Sequence, residues 1–415
     1  MNNNLPAVHL SGPGNGFRLR APRGIALLLL VLLFGLLPTA SPAEDAEAAE
    51  ITSLCTLAPA SAKKDFKKCT DGSYKTYWRS NGGKGAAVTV DVPAGEYASG
   101  VWIQWYEHPR AVSLQVQDLS GAWVECARSE GVYLSDYLPL PELTASFRIA
   151  NAEGISSPLN IAELHVFGAG SLPARVQVWN PPAEKADLLL IAAHPDDEIL
   201  WFGGMLPTYA GEQGKVCQVA MMVPSLPRRR LELLDGLWTC GVTNYPVWSY
   251  FRDSFSLSLK DQYTRWDKAG VYKQVTTWIR RFKPEVLATH DLGGEYGHGA
   301  HRVCADAVTH CLADAANKKK YPDSAREYGV WDVPKCYLHL YEENVVDLDW
   351  RVPLSHFGGK TGFDVAVEAF RCHVSQQHTE YSVEDSGPCD CSLFGLYRSL
   401  VGPDVQKEDL FENLN

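Results

Sequence analysis

The stretch Leu188-Leu-Leu-Ile-Ala-Ala-His-Pro-Asp-Asp-Glu198 decides the fold of this 415-residue chain. Its short apolar run reads as a strand buried on both faces, as in a parallel sheet covered by helices. The polar cluster stands where that strand stops. In open α/β sheets, ligands bind in the crevice beyond the carboxyl ends of the strands. Pro195 suits the first position of a helical turn, because its missing N–H would have no partner there. A turn starting there lets His194 and Asp197, three apart, point the same way. One imidazole and one carboxylate at a strand end make two-thirds of a catalytic metal site, and a third ligand is to be sought.

Outward from that strand, the texture alternates. Val216 to Val223 reads as a second buried strand. Leu231, Leu234 and Trp238 share one helical face, with Gly241 as the stop. Val271, Val275, Trp278, Ile279 and Phe282 form a helical stripe that Pro284 ends. Val286-Leu-Ala-Thr-His290 is a third strand, and Val303, Cys304, Ala307, Val308, Cys311 and Leu312 mark the next helix. Strand and helix taking turns predict a Rossmann-like, doubly wound parallel sheet with helices on both faces over residues 185–415. The third strand also ends in histidine, and Gly293-Gly-Glu-Tyr-Gly-His-Gly-Ala-His301 follows it. His298 and His301 are three apart and can face one crevice. Glycines at 293, 294, 297 and 299 let the backbone approach a ligand. Singly, each histidine reads as a surface or hydrogen-bonded residue. Beside His-Pro-Asp-Asp-Glu, together they read as a site.

His194-Pro-Asp-Asp-Glu198 after an apolar strand, then Tyr296-x-His298-x-x-His301, resembles the PIG-L/LmbE family of zinc-dependent deacetylases, which act on N-acetylglucosamine units. The resemblance runs from about Ala186 to Gln377 and takes in Gly203-Gly204, Arg229-Arg-Leu-Glu232, Asp253 and Phe370-Arg-Cys-His-Val-Ser-Gln376. It implies His194, Asp197 and His301 as zinc ligands. Two imidazoles and one carboxylate leave a fourth position open, the catalytic and not the structural arrangement. Asp196 is then the free carboxylate that takes the proton of the attacking water and passes it to the departing amine. His298, with Tyr296 as a second donor, is implied to steady the oxyanion; the alternative for His298 is to orient His301. Arg229, Asp253 and His290 are implied at the substrate, although a helix-surface position for Arg229 and plain packing for His290 stay open. Glu198 is expected to hold the turn of the motif or a ligand histidine. The family commonly reads His-x-Asp-His where this chain has His298-Gly-Ala-His301. Ala300 therefore implies a neighbouring histidine without its polarising carboxylate, and either a slower enzyme or a lower acidic pH limit, with activity retained because the metal ligands are intact.

Residues 51–170 have a different rhythm. Val88, Val90 and Val92, then Val101, Ile103 and Trp105, then Val112, Leu114 and Val116 alternate with small or polar residues, and Gly, Pro and Asp separate the runs. Short strands with turns between them predict a β-sandwich or jelly roll. Asp71-Gly-Ser-Tyr-Lys-Thr-Tyr-Trp-Arg-Ser80 and Ile161-Ala-Glu-Leu-His-Val-Phe-Gly168 resemble a discoidin-like, galactose-binding-like domain, which implies glycan binding and, in some members, a structural calcium. Tyr74, Tyr77 and Trp78 are candidates to stack on sugar, though core or rim packing is the commoner use of such rings. Residues 171–184, rich in proline and without period, read as a linker.

At the start, Arg18, Arg20 and Arg23 precede an apolar run from Ile25 to Leu37 and then Ser41-Pro-Ala43. This is the pattern of a signal peptide over residues 1–43, hence an exported protein with no stable membrane span after processing. The run is shorter than the ~20 residues a membrane helix needs. Export permits disulfides among the eleven cysteines, with Cys55 and Cys69 placed to close a loop. No Cys-x-x-Cys supports a cysteine-based zinc site. The acidic balance, 38 Lys+Arg against 49 Asp+Glu, speaks against a nucleic-acid partner. Three functions remain open: a zinc deacetylase of N-acetylated amino sugar, a non-catalytic glycan-binding protein, and a zinc amidase acting on another acylated conjugate. A zinc protease is disfavoured by the absence of His-Glu-x-x-His.

Overall fold

A computed structural model describes residues 46–414; the expected signal peptide lies outside them. The first part holds nine strands: β1 (Thr56–Pro59), β2 (Trp78–Arg79), β3 (Ala87–Asp91), β4 (Ala98–Trp105), β5 (Val112–Gln117), β6 (Trp123–Ser129), β7 (Ser135–Thr144), β8 (Ser146–Asn151) and β9 (Asn160–Phe167). They form two antiparallel sheets, in the orders β1-β3-β8-β5-β6 and β2-β9-β4-β7. Val88, Leu114, Phe147 and Ile149 of the first sheet share one apolar core with Val101, Ile103, Ile161 and Leu164 of the second. The alternation seen in the sequence thus faces one sheet toward the other. On β4, however, the intervening Trp102 and Gln104 are buried as well. The outer side of that strand is covered by the second half of the chain. Trp78 is fully buried in the core and Tyr77 stacks on Tyr106 at 3.9 Å, so packing is what these two rings do here.

The second part is built on β10 (Leu188–Ala192), β11 (Cys217–Met221), β12 (Val247–Trp248), β13 (Val286–Thr289), β14 (Lys335–His339), β15 (Val345–Asp347) and β16 (Leu393–Ser399). Their order is β12-β11-β10-β13-β14-β16-β15. The first five run parallel, whereas β16 lies antiparallel to both β14 and β15. The all-parallel expectation is corrected on that side: β16 arrives as a late antiparallel addition, which the strand–helix rhythm could not announce. The principal helices are α1 (Asp197–Leu200), α2 (Pro227–Thr239), α3 (Leu259–Arg265), α4 (Lys268–Phe282), α5 (Gly299–Ala316), α6 (Pro322–Tyr328) and α7 (Gly362–Cys372). Leu188, Leu190 and Ala192 pack with Leu234, Leu237 and Ala369 of α2 and α7, while Leu189, Ile191 and Ala193 pack with Val275, Ile279, Val303 and Ala307 of α4 and α5. Successive side chains of one strand feed opposite faces, and a fully buried Leu or Ile is worth about 1.5–3 kcal/mol. Helices therefore cover both faces of β10.

Residues 171–184 carry no named helix or strand, yet they are not a free tether. Val176, Gln177 and Trp179 are buried, and the Trp179 ring meets Trp238 at 5.2 Å and Tyr245 at 5.5 Å. All eleven cysteines are free thiols, so the expected Cys55–Cys69 closure is not made. Cys69 is buried and donates to the Phe66 carbonyl instead. No described helix is long and apolar enough to cross a membrane.

Candidate active site

Strands β10 and β13 are neighbours, but the chain leaves β10 for β11 on one side and reaches β13 and β14 on the other. Such a reversal opens a crevice at the carboxyl ends of the two strands. His194 and His290 stand just beyond those ends, and β14 ends in His339 itself. The turn after β10 differs from the sequence expectation. Helix α1 begins at Asp197, with Asp196 before it as N-cap, so Pro195 precedes the helix. His194 and Asp197 meet because Asp197 N donates to the His194 carbonyl at 3.1 Å, not as two rungs of one helix. Asp196 has φ 147°, a conformation costing an L-residue of order 1–3 kcal/mol. The turn is braced against that strain. Asp196 N donates to Glu198 Oε2 at 2.8 Å, Glu198 Oε1 takes His373 Nε2 at 2.7 Å, and His194 N donates to Asp197 Oδ2 at 2.7 Å. Glu198 thus holds the turn, as expected, and His373 in place of a ligand histidine.

Three buried side chains from two distant stretches converge here. His194 Nδ1 lies 3.1 Å from Asp197 Oδ2 and 3.3 Å from His301 Nε2, and His301 Nε2 lies 3.3 Å from Asp197 Oδ2. A tetrahedron with zinc–ligand bonds of about 2.0–2.1 Å has edges of roughly 3.3 Å. The three ligand atoms therefore already form one face of a coordination shell of that size. Among the described residues, His194, His298 and His301 form one group that could hold a metal ion, and Asp197, His290 and His301 form another, with His301 common to both. Burial opposes ionisation of Asp197, yet the His301 and His194 imidazoles hold it well below the usual carboxylate range.

Glu295 organises the floor of this site. It is buried, with Oε2 2.7 Å from His290 Nδ1 and 2.8 Å from His301 Nδ1, and Oε1 2.7 Å from His339 Nδ1. One carboxylate thus faces three imidazoles. Burial favours its neutral form, but His290 foremost and the other rings hold it well below the usual range. Burial likewise pulls His301 down, while Asp197 and Glu295 carry it up to about 10. A metal would displace that proton, and Glu295 would remain as the outer carboxylate that fixes the ring. Gly294 makes the approach possible: φ is +66°, and a Cβ there would lie 2.6 Å from the His298 carbonyl oxygen. Ala300 packs in the core; Glu295 Oε2 lies 2.8 Å from His301 Nδ1, but neither that nitrogen nor His298 Nδ1 has a hydrogen-bond partner of good geometry.

The other implied residues divide between wall and floor. His194, Asp196, Arg229, Asp253, Tyr296 and His298 line a cavity of about 180 Å³. Arg229 lines this cavity while its Nη2 donates to Asp196 Oδ1 at 2.8 Å and to the Pro195 carbonyl at 2.7 Å. Burial pushes the Asp196 carboxyl up to about 7, against the pull of Arg229. Asp253 Oδ1 lies 3.8 Å from His194 Nε2. His290, expected at the substrate, is fully buried; its Nε2 accepts from Ala193 N and lies 3.5 Å from Asp197 Oδ2. It supports the floor. Burial, with His194 and His301 nearby, pushes His298 down to about 3, leaving a neutral imidazole at the wall. Tyr381, which the sequence reading passed over, stacks on Tyr296 at 4.7 Å at the rim. If His298 donates to a developing oxyanion, His298→Ala should lower kcat by about 10²–10³ with KM little changed. A change in KM alone would count against that role.

Residues 189–312 match the family model "PIG-L: GlcNAc-PI de-N-acetylase". The chain is 29% identical over 227 residues to a 1D-myo-inositol 2-acetamido-2-deoxy-alpha-D-glucopyranoside deacetylase 1 of Frankia casuarinae, covering 45% of this chain and 67% of that protein. It is 27% identical over 270 residues to the deacetylase of the same substrate name from Rhodococcus erythropolis, covering 53% and 88%. The chain spans about two thirds of the length of the first of these curated relatives. Among solved structures, the N,N'-diacetylchitobiose deacetylase of Pyrococcus horikoshii aligns over 46% of this chain and 71% of its own, at 18% identity and a TM-score of 0.35.

Proposed function

From a C-terminal half that carries a PIG-L family deacetylase domain, we propose that this protein is an exported, zinc-dependent enzyme. It hydrolyses the N-acetyl group of an N-acetylglucosamine-type sugar or glycoconjugate, while its N-terminal β-domain holds a glycan. The observation that carries this reading is the triangle of His194, Asp197 and His301 ligand atoms, with edges of 3.1, 3.3 and 3.3 Å. Relatives named as deacetylases of a 2-acetamido-2-deoxyglucopyranoside support the substrate class. The basic, apolar and small-residue order of residues 18–43 supports export.

Zinc bound by His194, Asp197 and His301 would acidify water and polarise the amide carbonyl. Asp196 accepts a proton from the attacking water as the C–O bond forms. His298 and Tyr296 donate to the oxygen that gains charge. Asp196 then returns its proton to the sugar nitrogen as the C–N bond breaks, giving acetate and a free amine. Arg229 keeps the Asp196 carboxylate aimed during both transfers, since its other bond, to the Pro195 carbonyl, fixes the guanidinium.

The test is acetate release from 2-acetamido-2-deoxyglucopyranosides and from an N-acetyl amino acid, before and after chelation. The glycosides should react, chelation should stop them, and added zinc should restore them. Release insensitive to chelation, or confined to the amino acid, would overturn the reading. Asp197→Ala should lose the metal, because one of three protein ligands goes together with the charge balancing two imidazoles. Stoichiometric zinc in that variant would show the ligand set to be different.

A further inference from the structure

We propose that the seam between the β-sandwich and α2 is a second saccharide site, one that takes a neutral hexopyranose unit. A cavity of about 430 Å³ opens there, lined from one side by Trp102, Gln104 and Glu163 and from the other by Gln177, Asp235 and Trp238. This volume lies within the ordinary range for small-molecule sites, about 300–1,000 Å³. It shares no lining residue with the cavity around His194. Helix α2 separates the two, with Arg229 near its start facing one and Asp235 further along facing the other.

The side chains suit a sugar and are already fixed. The Trp102 indole N–H donates to Ser135 Oγ at 2.8 Å and its ring stacks on His165 at 5.0 Å. Trp238 Nε1 donates to the Ala174 carbonyl at 2.8 Å. The partly exposed Trp238 offers a surface for the C–H face of a pyranose, and the nearly buried Trp102 closes the wall beside it. Around them stand planar amides and carboxylates, the groups that pair with adjacent hydroxyls. Asp235 accepts from Tyr74 Oη at 2.8 Å and from Gln177 Nε2 at 2.6 Å, and Glu163 accepts from Ser73 N at 2.8 Å. Preformed bonds of this kind lower the ordering cost of binding. Burial pushes Glu163 up to about 7 and Asp235 up to about 6, and Lys75 and Arg175 share the lining with these acids and Glu232, so the walls present both signs of charge. A neutral polyol fits such walls better than a cation.

The site is independent of the deacetylase reading. Methyl glycosides of N-acetylglucosamine, glucose and galactose are titrated calorimetrically into the full chain, into Asp197→Ala, and into Trp238→Ala and Glu163→Gln. At least one glycoside should saturate the wild type and Asp197→Ala alike. Trp238→Ala should weaken it about tenfold or more, through loss of one stacking face. Glu163→Gln, which keeps shape and removes a carboxylate, tests the same wall should Trp238→Ala fail to fold. No saturable binding by any of the three, or binding lost in Asp197→Ala and kept in both seam variants, would overturn the proposal. Failure of the deacetylase reading would appear as absent acetate release and leave these titrations unchanged.

Discussion

Asp196→Asn is expected to leave the fold and the bound metal in place while turnover falls by about 10²–10⁴, the usual contribution of a positioned acid–base group. The side chain lies outside the His194, Asp197 and His301 triangle, so its neutralisation removes no ligand. The amide oxygen can still accept from Arg229, and the backbone bond from Asp196 N to Glu198 is untouched. What disappears is the capacity to take a proton. A carboxyl that burial has pushed up to about 7 is well matched to that task near neutral pH. Because only the deprotonated form is a base, wild-type kcat should fall as the solution is acidified through this group's pKa. A bound cation would move that limb to lower pH, and Asp196→Asn should abolish it. Metal content and melting temperature establish that the variant is intact, and acetate release gives the rate. A variant turning over within tenfold of wild type would reduce Asp196 to a brace for the strained turn.

How far the site could be read from sequence depends on how far its parts are separated along the chain. His194 and Asp197 lie three apart, and His298 and His301 share a second short motif, so both halves were visible. Their meeting follows from β10 and β13 being neighbours, a strand order that the strand–helix rhythm alone does not set. Glu295 stands inside the glycine-rich stretch, where spacing singles out His298 and His301 and leaves the carboxylate between them and β13 without a signal. Its role exists only because His339, from the end of β14, and His290, from the end of β13, close on the same carboxylate. No local spacing encodes such a contact. The pairing of Arg229 with the Asp196 carboxylate is another such contact, since it joins α2 to a turn more than thirty residues earlier. The seam was also illegible, since Gln104 on the outer side of β4 meets Asp235 of α2, 131 residues later, and Trp102 packs with Val176 of the connecting segment. The antiparallel β16 escaped for a similar reason, as its pairing with β14 and β15 is a long-range choice that no periodicity announces.

The second large effect is expected at Glu295. Glu295→Gln should yield a folded protein whose metal affinity is about 10–100-fold weaker, the usual cost of disturbing the partner of a ligand histidine. Shape supports survival of the fold. The amide oxygen can stay on the His290 and His301 side, where it continues to accept from His290 Nδ1 and to lie beside His301 Nδ1. The amide nitrogen then faces His339 Nδ1, and His339 Nε2 keeps its contact with the Asp390 carbonyl at 3.0 Å. Charge is what changes. His301 loses one of the two carboxylates that flank it and becomes a poorer donor to a cation. Glu295→Ala should do far more harm, because three buried imidazoles lose their common partner at once; about 3–5 kcal/mol of stability is expected to go with it. Zinc titration and thermal melting together separate these outcomes: weakened metal binding with a near-normal melt for Gln, and a broken melt for Ala. Zinc affinity of Glu295→Gln within threefold of wild type would mean that the His301 ring is held by packing alone, and that the substitution at Ala300 has not been compensated from this side.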